Sequence, residues 1–262
     1  MYKVDIPKRE ACVICGKEFT GLSGKLGVCV ECIREHPEEV KIYVEEAHAS
    51  SRNLFDLPSK PPKTKTGIHC NICSNNCVIG EGERSYCGLR WNEKGKLVSL
   101  STPKRGLLSY YLDPHVTNCC AAWFCPAGTG VGYPKFAYRD GPEFGYENLA
   151  VFFYGCNFNC LFCQNYSHKM IRSGKSVSSE ELAEIAIRNP KVSCVCYFGG
   201  SPEPQLPFAI EASRRIVEGK KSKIVRICFE WNGCGRTDLV KEAAELSYLT
   251  GGNIKFDLKC FT

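Results

Sequence analysis

The pattern of apolar and polar positions changes character along the chain. From about residue 147, continuous apolar runs at 149–154 (LAVFFY), 192–198 (VSCVCYF), 224–230 (IVRICFE) and 254–258 (IKFDL) read as buried strands. Between them lie helical patterns. Ser178 and Glu181 have capping-box spacing and Pro190 closes that helix; a second covers 208–219, and Thr237 caps a third that ends at Gly251. This alternation predicts parallel βαβ units and an α/β fold. Upstream the pattern weakens: residues 35–57 are partly helical, and 59–67 (SKPPKTKTG) read as a linker. The expected organisation is a small module over 1–40, a helical segment and linker over 41–67, a cysteine-rich module over 68–146 and the α/β domain over 147–262.

Composition adds one outlying feature. Of 262 residues, 44% are hydrophobic and 24% charged, as in soluble globular proteins. The net charge of +6 is mild and scattered, so nucleic-acid binding is not indicated, and no apolar run reaches membrane-spanning length. Cysteine, however, occurs 19 times, and the N-terminus (MYKVDIPKREAC) lacks a signal-peptide core. That combination points to a cytoplasmic protein whose reduced thiols bind metal, not to a secreted disulfide scaffold.

The cysteines fall into groups. Cys12-x2-Cys15 and Cys29-x2-Cys32 are two knuckles with zinc-ribbon spacing; a rubredoxin-like iron uses the same ligands. Cys70-x2-Cys73-x3-Cys77-x9-Cys87 lies among Asn, Gly and Ser, where a bound zinc or auxiliary iron–sulfur cluster would organise a segment short of apolar core. A cluster is favoured there because the neighbouring chemistry would be redox. Cys119, Cys120 and Cys125 form a looser set with no site assigned. Cys194, Cys196 and Cys228 fit strand packing, while Cys234 and Cys260 lie near strand ends.

GCNFNCLFCQN, 155–165, directly follows the first strand and spaces Cys156, Cys160 and Cys163 as C-x3-C-x2-C. A [4Fe–4S] cube needs four ligands, so three thiolates leave one iron open. Glycines and charged groups recur at the following strand ends: the Gly199 loop, 230–233 and Asp257-x-Lys259. In parallel α/β barrels that is the face where sites assemble.

The cysteine loop resembles the signature of radical S-adenosylmethionine (radical SAM) enzymes, and the resemblance extends over 149–259. It implies a partial parallel (β/α) barrel, of which about four βα units are present here. It also implies a [4Fe–4S] cluster whose open iron is chelated by S-adenosylmethionine, and reductive cleavage of that cofactor to a 5′-deoxyadenosyl radical that abstracts hydrogen. By the same resemblance Phe162 packs near the adenine, Gly199-Gly200-Ser201 contacts the cofactor's amino group, and Asp257-Leu258-Lys259 is similar to the Asp-x-Lys element of the pyruvate formate-lyase activating enzyme branch, with Lys259 on the cofactor. An electron donor such as a flavodoxin or ferredoxin and a protein substrate are the partners implied. Three features depart from the pattern. Ser201 stands where many relatives have an acid, with Glu203 two residues on; the extra cysteines precede the motif; and the sequence ends at Thr262, where a six-stranded barrel would need two more units, so a fragment, one half of a split protein or completion by a partner subunit is expected. The function expected is a radical SAM enzyme activating a glycyl-radical protein. The alternatives are modification of another peptide or small molecule, or a non-catalytic metal-binding scaffold.

Overall fold

The computed structural model describes residues 9–117 and 121–259, so Cys119, Cys120 and Cys260 lie outside the described residues. The chain divides into two compact units between Ser59 and Lys60.

In the first unit, β1 (Arg9–Ala11) and β2 (Glu18–Thr20) form an antiparallel hairpin, followed by α1 (Val30–Glu35) and α2 (Pro37–Asn53). Its small core is made of Cys12, Val28, Cys29, Cys32 and Val40. Ile14, Phe19, Leu22, Leu26, Ile33 and Tyr43 pack against it, half-buried, and three of its five fully buried residues are cysteines.

The second unit opens with two hairpins, β3 (Ile68–Cys70) with β4 (Cys77–Ile79) and β5 (Arg90–Glu93) with β6 (Lys96–Ser99). A ten-residue strand, β7 (Arg105–Pro114), leads through the short helix α3 (Pro126–Thr129) to β8 (Glu147–Phe153). The remaining elements are β9 (Lys175–Ser178), α4 (Ser179–Arg188), β10 (Val192–Phe198), α5 (Leu206–Gly219), β11 (Arg226–Trp231), α6 (Thr237–Thr250) and β12 (Ile254–Phe256).

These strands build one six-stranded sheet in the order β12-β11-β10-β8-β7-β9. β8, β10, β11 and β12 run parallel, as the alternation predicts, but β7 is antiparallel to both β8 and β9. The sheet is therefore mixed, which corrects the expectation of a wholly parallel partial barrel. The physical reason is β7, whose exposed stretch Ser109–Leu112 interrupts the apolar run and hides its pairing from a reading based on continuous apolar runs.

The two faces of the parallel strands differ. Val195, Tyr197, Ile227 and Phe229 point to one side and pack with Leu182, Ala212, Ile216 and Ala243 of the helices as the main core. On the other side lie Cys194, Cys196, Cys228 and Phe198. An aromatic row crosses each face: Phe153, Tyr197 and Phe229 on the helical side, and Tyr111, Phe152 and Phe198 on the other.

Helix starts follow local chemistry. Ser178 Oγ accepts from Glu181 N at 3.0 Å, so this expected cap forms. Thr237 does not cap its helix. It is the first helical residue, and Arg236, extended and without a side-chain cap, stands before it.

Candidate active site

The cysteine loop leaves β8 at Gly155, where φ is +82° and a Cβ would meet Cys87 O at 2.9 Å. Only glycine enters the turn at that spacing. At the C-terminal end of β10, Gly199 and Gly200 have φ of +50° and +54°. A Cβ on Gly199 would lie 2.4 Å from the Phe152 ring.

These loops enclose a cavity of about 370 Å³, the size range of small-molecule sites. Cys156, Cys160, Cys163, Phe162, Gly199, Gly200, Ser201, Asp257 and Lys259 all line it. The structure thus brings these nine residues to one place, from three separate strand ends.

An amide network braces the cavity floor. Asn157, 1% exposed, exchanges hydrogen bonds with Asn232: Asn232 Nδ2 donates to Asn157 Oδ1 at 2.8 Å and to Ser201 Oγ at 2.9 Å. Asn157 Nδ2 donates to Cys234 O at 3.2 Å. The cysteine loop, the glycine loop and the end of β11 are thereby tied together. Glu203, the acid nearest the expected position, does not line the cavity. It is fully buried, its Oε1 accepts from Gly233 N at 2.6 Å, and burial raises its carboxyl.

β12 ends at Phe256, so Asp257 and Lys259 lie just past the strand. Lys259 Nζ donates to Asp257 Oδ2 at 2.8 Å, and Lys255 Nζ reaches Asp257 Oδ1 at 2.6 Å and Glu230 Oε2 at 3.3 Å. Burial pushes the Asp257 carboxyl up, but Lys255 and Lys259 outweigh it and hold the carboxyl below its usual range. Burial raises the thiols of Cys156 and Cys160. Without metal they carry protons, and loading releases them. His168 sits in a 3-10 turn and also reaches the cavity wall. Asn157, which braces the cavity from behind, is the residue that the sequence did not single out.

The second cysteine group abuts this loop. Cys70 and Cys77 are register partners in the β3–β4 hairpin, and Cys70, Cys73, Cys77 and Cys87 are all buried. Burial pushes the Cys73 thiol up to about 12, and the three other thiols reinforce the rise. Asn75 Nδ2 donates to Asn157 O at 2.8 Å, and Ser74 N to Cys234 O at 2.9 Å, so the hairpin turn is fastened to the cysteine loop and to the loop after β11.

In the first unit, Cys12 Sγ and Cys32 Sγ are 3.8 Å apart and Cys15 Sγ and Cys29 Sγ 3.9 Å. A tetrahedral ion with bonds of about 2.3 Å to sulfur separates its ligands by about 3.8 Å, so the set fits one zinc or iron ion. Burial would raise the Cys12 thiol, but backbone N–H groups of Cys15, Cys29 and Ile14 dominate and lower it to about 6, which favours a thiolate ligand. Among the described residues, this is the only group with three or more donor atoms all within 4.8 Å of one another. The Cys156 and Cys70 groups are more widely spaced, as suits thiolates that each hold a different iron of a cluster.

Residues 150–253 match the model of the radical SAM superfamily. An uncharacterized protein of Methanocaldococcus jannaschii is 30% identical over 125 residues, which cover 46% of this chain and 31% of the relative. The chain thus spans less than a third of that protein's length. Together these matches support a radical SAM domain over part of the chain. Among the described residues, no helix is long and apolar enough to cross a membrane.

Proposed function

We propose that the chain acts as a radical SAM enzyme at the cavity walled by Cys156, Cys160 and Cys163. One observation carries this reading: the three thiols, the Gly199-Gly200-Ser201 turn and the Asp257–Lys259 pair, all far apart in sequence, face a single space. When bound, a [4Fe–4S] cluster and S-adenosylmethionine supply reductive cleavage of the cofactor and a carbon radical that takes hydrogen from a substrate. The chain's residues bind and orient. Three thiolates leave one ligand position for the cofactor. The glycine turn offers backbone groups without side chains, and the exposed Phe162 ring offers an apolar face. Asp257 positions the Lys259 ammonium at the wall. A metal-binding scaffold would have no use for that convergence.

In the same reading Cys70, Cys73, Cys77 and Cys87 hold an auxiliary iron–sulfur cluster, Cys12, Cys15, Cys29 and Cys32 a zinc or iron ion, and a flavodoxin- or ferredoxin-like protein supplies the electron. The activating-enzyme resemblance, carried by Asp257-Leu258-Lys259, adds a glycine of a partner protein as hydrogen donor. Anaerobically reconstituted protein with dithionite and S-adenosylmethionine should form methionine and 5′-deoxyadenosine in equal amounts. The Cys160→Ala variant should form neither while keeping the metal of the other sites; product from that variant would sink the assignment.

A further inference from the structure

The β3–β4 hairpin and the loop leading into β5 bring Cys70, Cys73, Cys77 and Cys87 together, all buried, and one charge is buried beside them. Arg90, the first residue of β5, is 4% exposed. An arginine that deep is ordinarily paired, because an uncompensated guanidinium is expensive to remove from water. Arg226 shows the usual solution: its Nη1 and Nη2 donate to the Glu143 carboxylate at 2.8 and 2.6 Å. Arg90 has no such partner among the described residues. Its Nη2 donates to the neutral Pro204 O at 2.8 Å, and its Nη1 is buried without a hydrogen-bond partner. Glu203, next to Pro204 in the chain, does not pair with it: its Oε1 accepts from Gly233 N and its Oε2 has no partner.

Sulfur is what Arg90 stands against instead. Burial raises the Cys70 thiol, and the positive charge of Arg90 beside it opposes the rise. The backbone ties Arg90 to Cys87 as well. Ser85, itself buried, donates through N to Arg90 O at 2.7 Å, and its Oγ accepts from Arg90 N at 3.0 Å. That leaves the hydroxyl hydrogen for Cys87 Sγ, 3.3 Å away. A guanidinium and a hydroxyl are thus placed by two of the four sulfurs. Neutral thiols would give the guanidinium no counter-charge. Four thiolates around an iron–sulfur group would, since such a group is net negative and gains a further negative charge on reduction.

We propose that Arg90 is the buried counter-charge of the iron–sulfur group held by Cys70, Cys73, Cys77 and Cys87, with Nη1 as its hydrogen-bond donor to that group. Attraction to the guanidinium grows with the added electron, so Arg90 favours the reduced form, and hydrogen bonds to the sulfurs act in the same direction. The group therefore takes its electron at a higher potential than the same four cysteines would confer alone. It does so beside the Cys156 loop, to which Asn75 fastens the hairpin. Arg90 sets a potential and touches no substrate, which makes it a positioning residue. The proposal rests on the reading of the Cys70 set as an iron–sulfur site and is independent of the chemistry at the cavity walled by Cys156, Cys160 and Cys163.

The test is a dithionite titration at controlled potential, followed by electron paramagnetic resonance, of the whole chain reconstituted anaerobically in the Cys160→Ala background. There the remaining [4Fe–4S]⁺ signal belongs to the Cys70 set. Arg90→Gln should shift the oxidised-to-reduced ratio at fixed potential at least tenfold toward oxidised, which for one electron lowers the midpoint by about 59 mV. Arg90→Lys, which keeps the charge, should stay closer to the parent. A guanidinium that merely props Pro204 would leave the midpoint alone. Acid-labile sulfide separates the two levels of the argument. Sulfide retained in Arg90→Gln with an unmoved midpoint, or equal shifts in the two variants, would overturn the role of Arg90 alone. No sulfide in the Cys160→Ala parent would overturn the iron–sulfur reading of the set, and the proposal with it. Sulfide lost from Arg90→Gln but kept in Arg90→Lys supports the counter-charge; loss from both would overturn it, because the charge would then not suffice.

Discussion

At Gly200 a Cβ would lie 2.5 Å from Gly155 O and 2.6 Å from Phe153 O, with φ already at +54°. Neither contact is with a flexible side chain, so Gly200→Ala must displace the loop or the end of β8, on top of a left-handed backbone cost of about 1–2 kcal/mol. The expected result is a protein that retains its cluster iron but binds S-adenosylmethionine at least tenfold more weakly, read by equilibrium dialysis. Unchanged affinity would remove this turn from the site. Gly199, Gly200, Asp257 and Lys259 were legible in the sequence because each is a distinctive residue type at a strand end. Asn157 was not. A neutral amide carries no spacing signal, and its hydrogen bonds with Asn232 exist only because the β8 and β11 loops meet in space. Nor did Glu203 declare itself: its position two residues from Ser201 suggested a cavity acid, but its carboxylate turns inward to Gly233 N.

The four parallel strands could be read from their apolar runs, and α4 from its cap. Ser178→Ala should cost about 1 kcal/mol in a urea titration, the usual value of an N-cap hydroxyl. Thr237→Ala should stay within about 0.5 kcal/mol, because Thr237 is the first residue of α6 and makes no capping bond. Equal losses in the two variants would contradict this assignment of the helix starts. β7 was not legible. Its ten residues end in a proline, expose Ser109–Leu112 in part, and pair antiparallel with strands on both sides. Pairing partners of a strand that follows a long irregular connection are a property of the assembled sheet, and no local pattern reports them. The same holds for the sheet face opposite the helices: the sequence shows that Cys194 and Cys196 share a side, but not that Cys228 and Cys125 arrive beside them.

For the molecule as a whole, the 115–143 segment and the sheet are joined by an ion pair that excludes water, with both the Arg226 and Glu143 side chains at 0% exposure. Burial would raise the Glu143 carboxyl, but the bidentate hydrogen bonds and charge of Arg226 prevail and hold it below 4.5. The sign follows. A depressed carboxyl stabilises the fold above its unfolded value, and that contribution is lost as pH falls from about 4.5 through the lower folded value. Glu143→Gln leaves Arg226 buried without its counter-charge and should cost about 3–5 kcal/mol near neutral pH. Melting temperatures between pH 7 and 3 should therefore show the parent losing stability toward the acid end while the variant, less stable throughout, depends less on pH. Parallel curves would deny the pair this role.

The central claim, that three thiolates hold a cluster open to S-adenosylmethionine, is tested most directly by electron paramagnetic resonance of the reconstituted, dithionite-reduced chain with and without the cofactor. The account predicts that S-adenosylmethionine alters part of the [4Fe–4S]⁺ signal, and that Cys160→Ala abolishes the altered part while any signal from the Cys70 group persists. A reduced spectrum indifferent to the cofactor would contradict it.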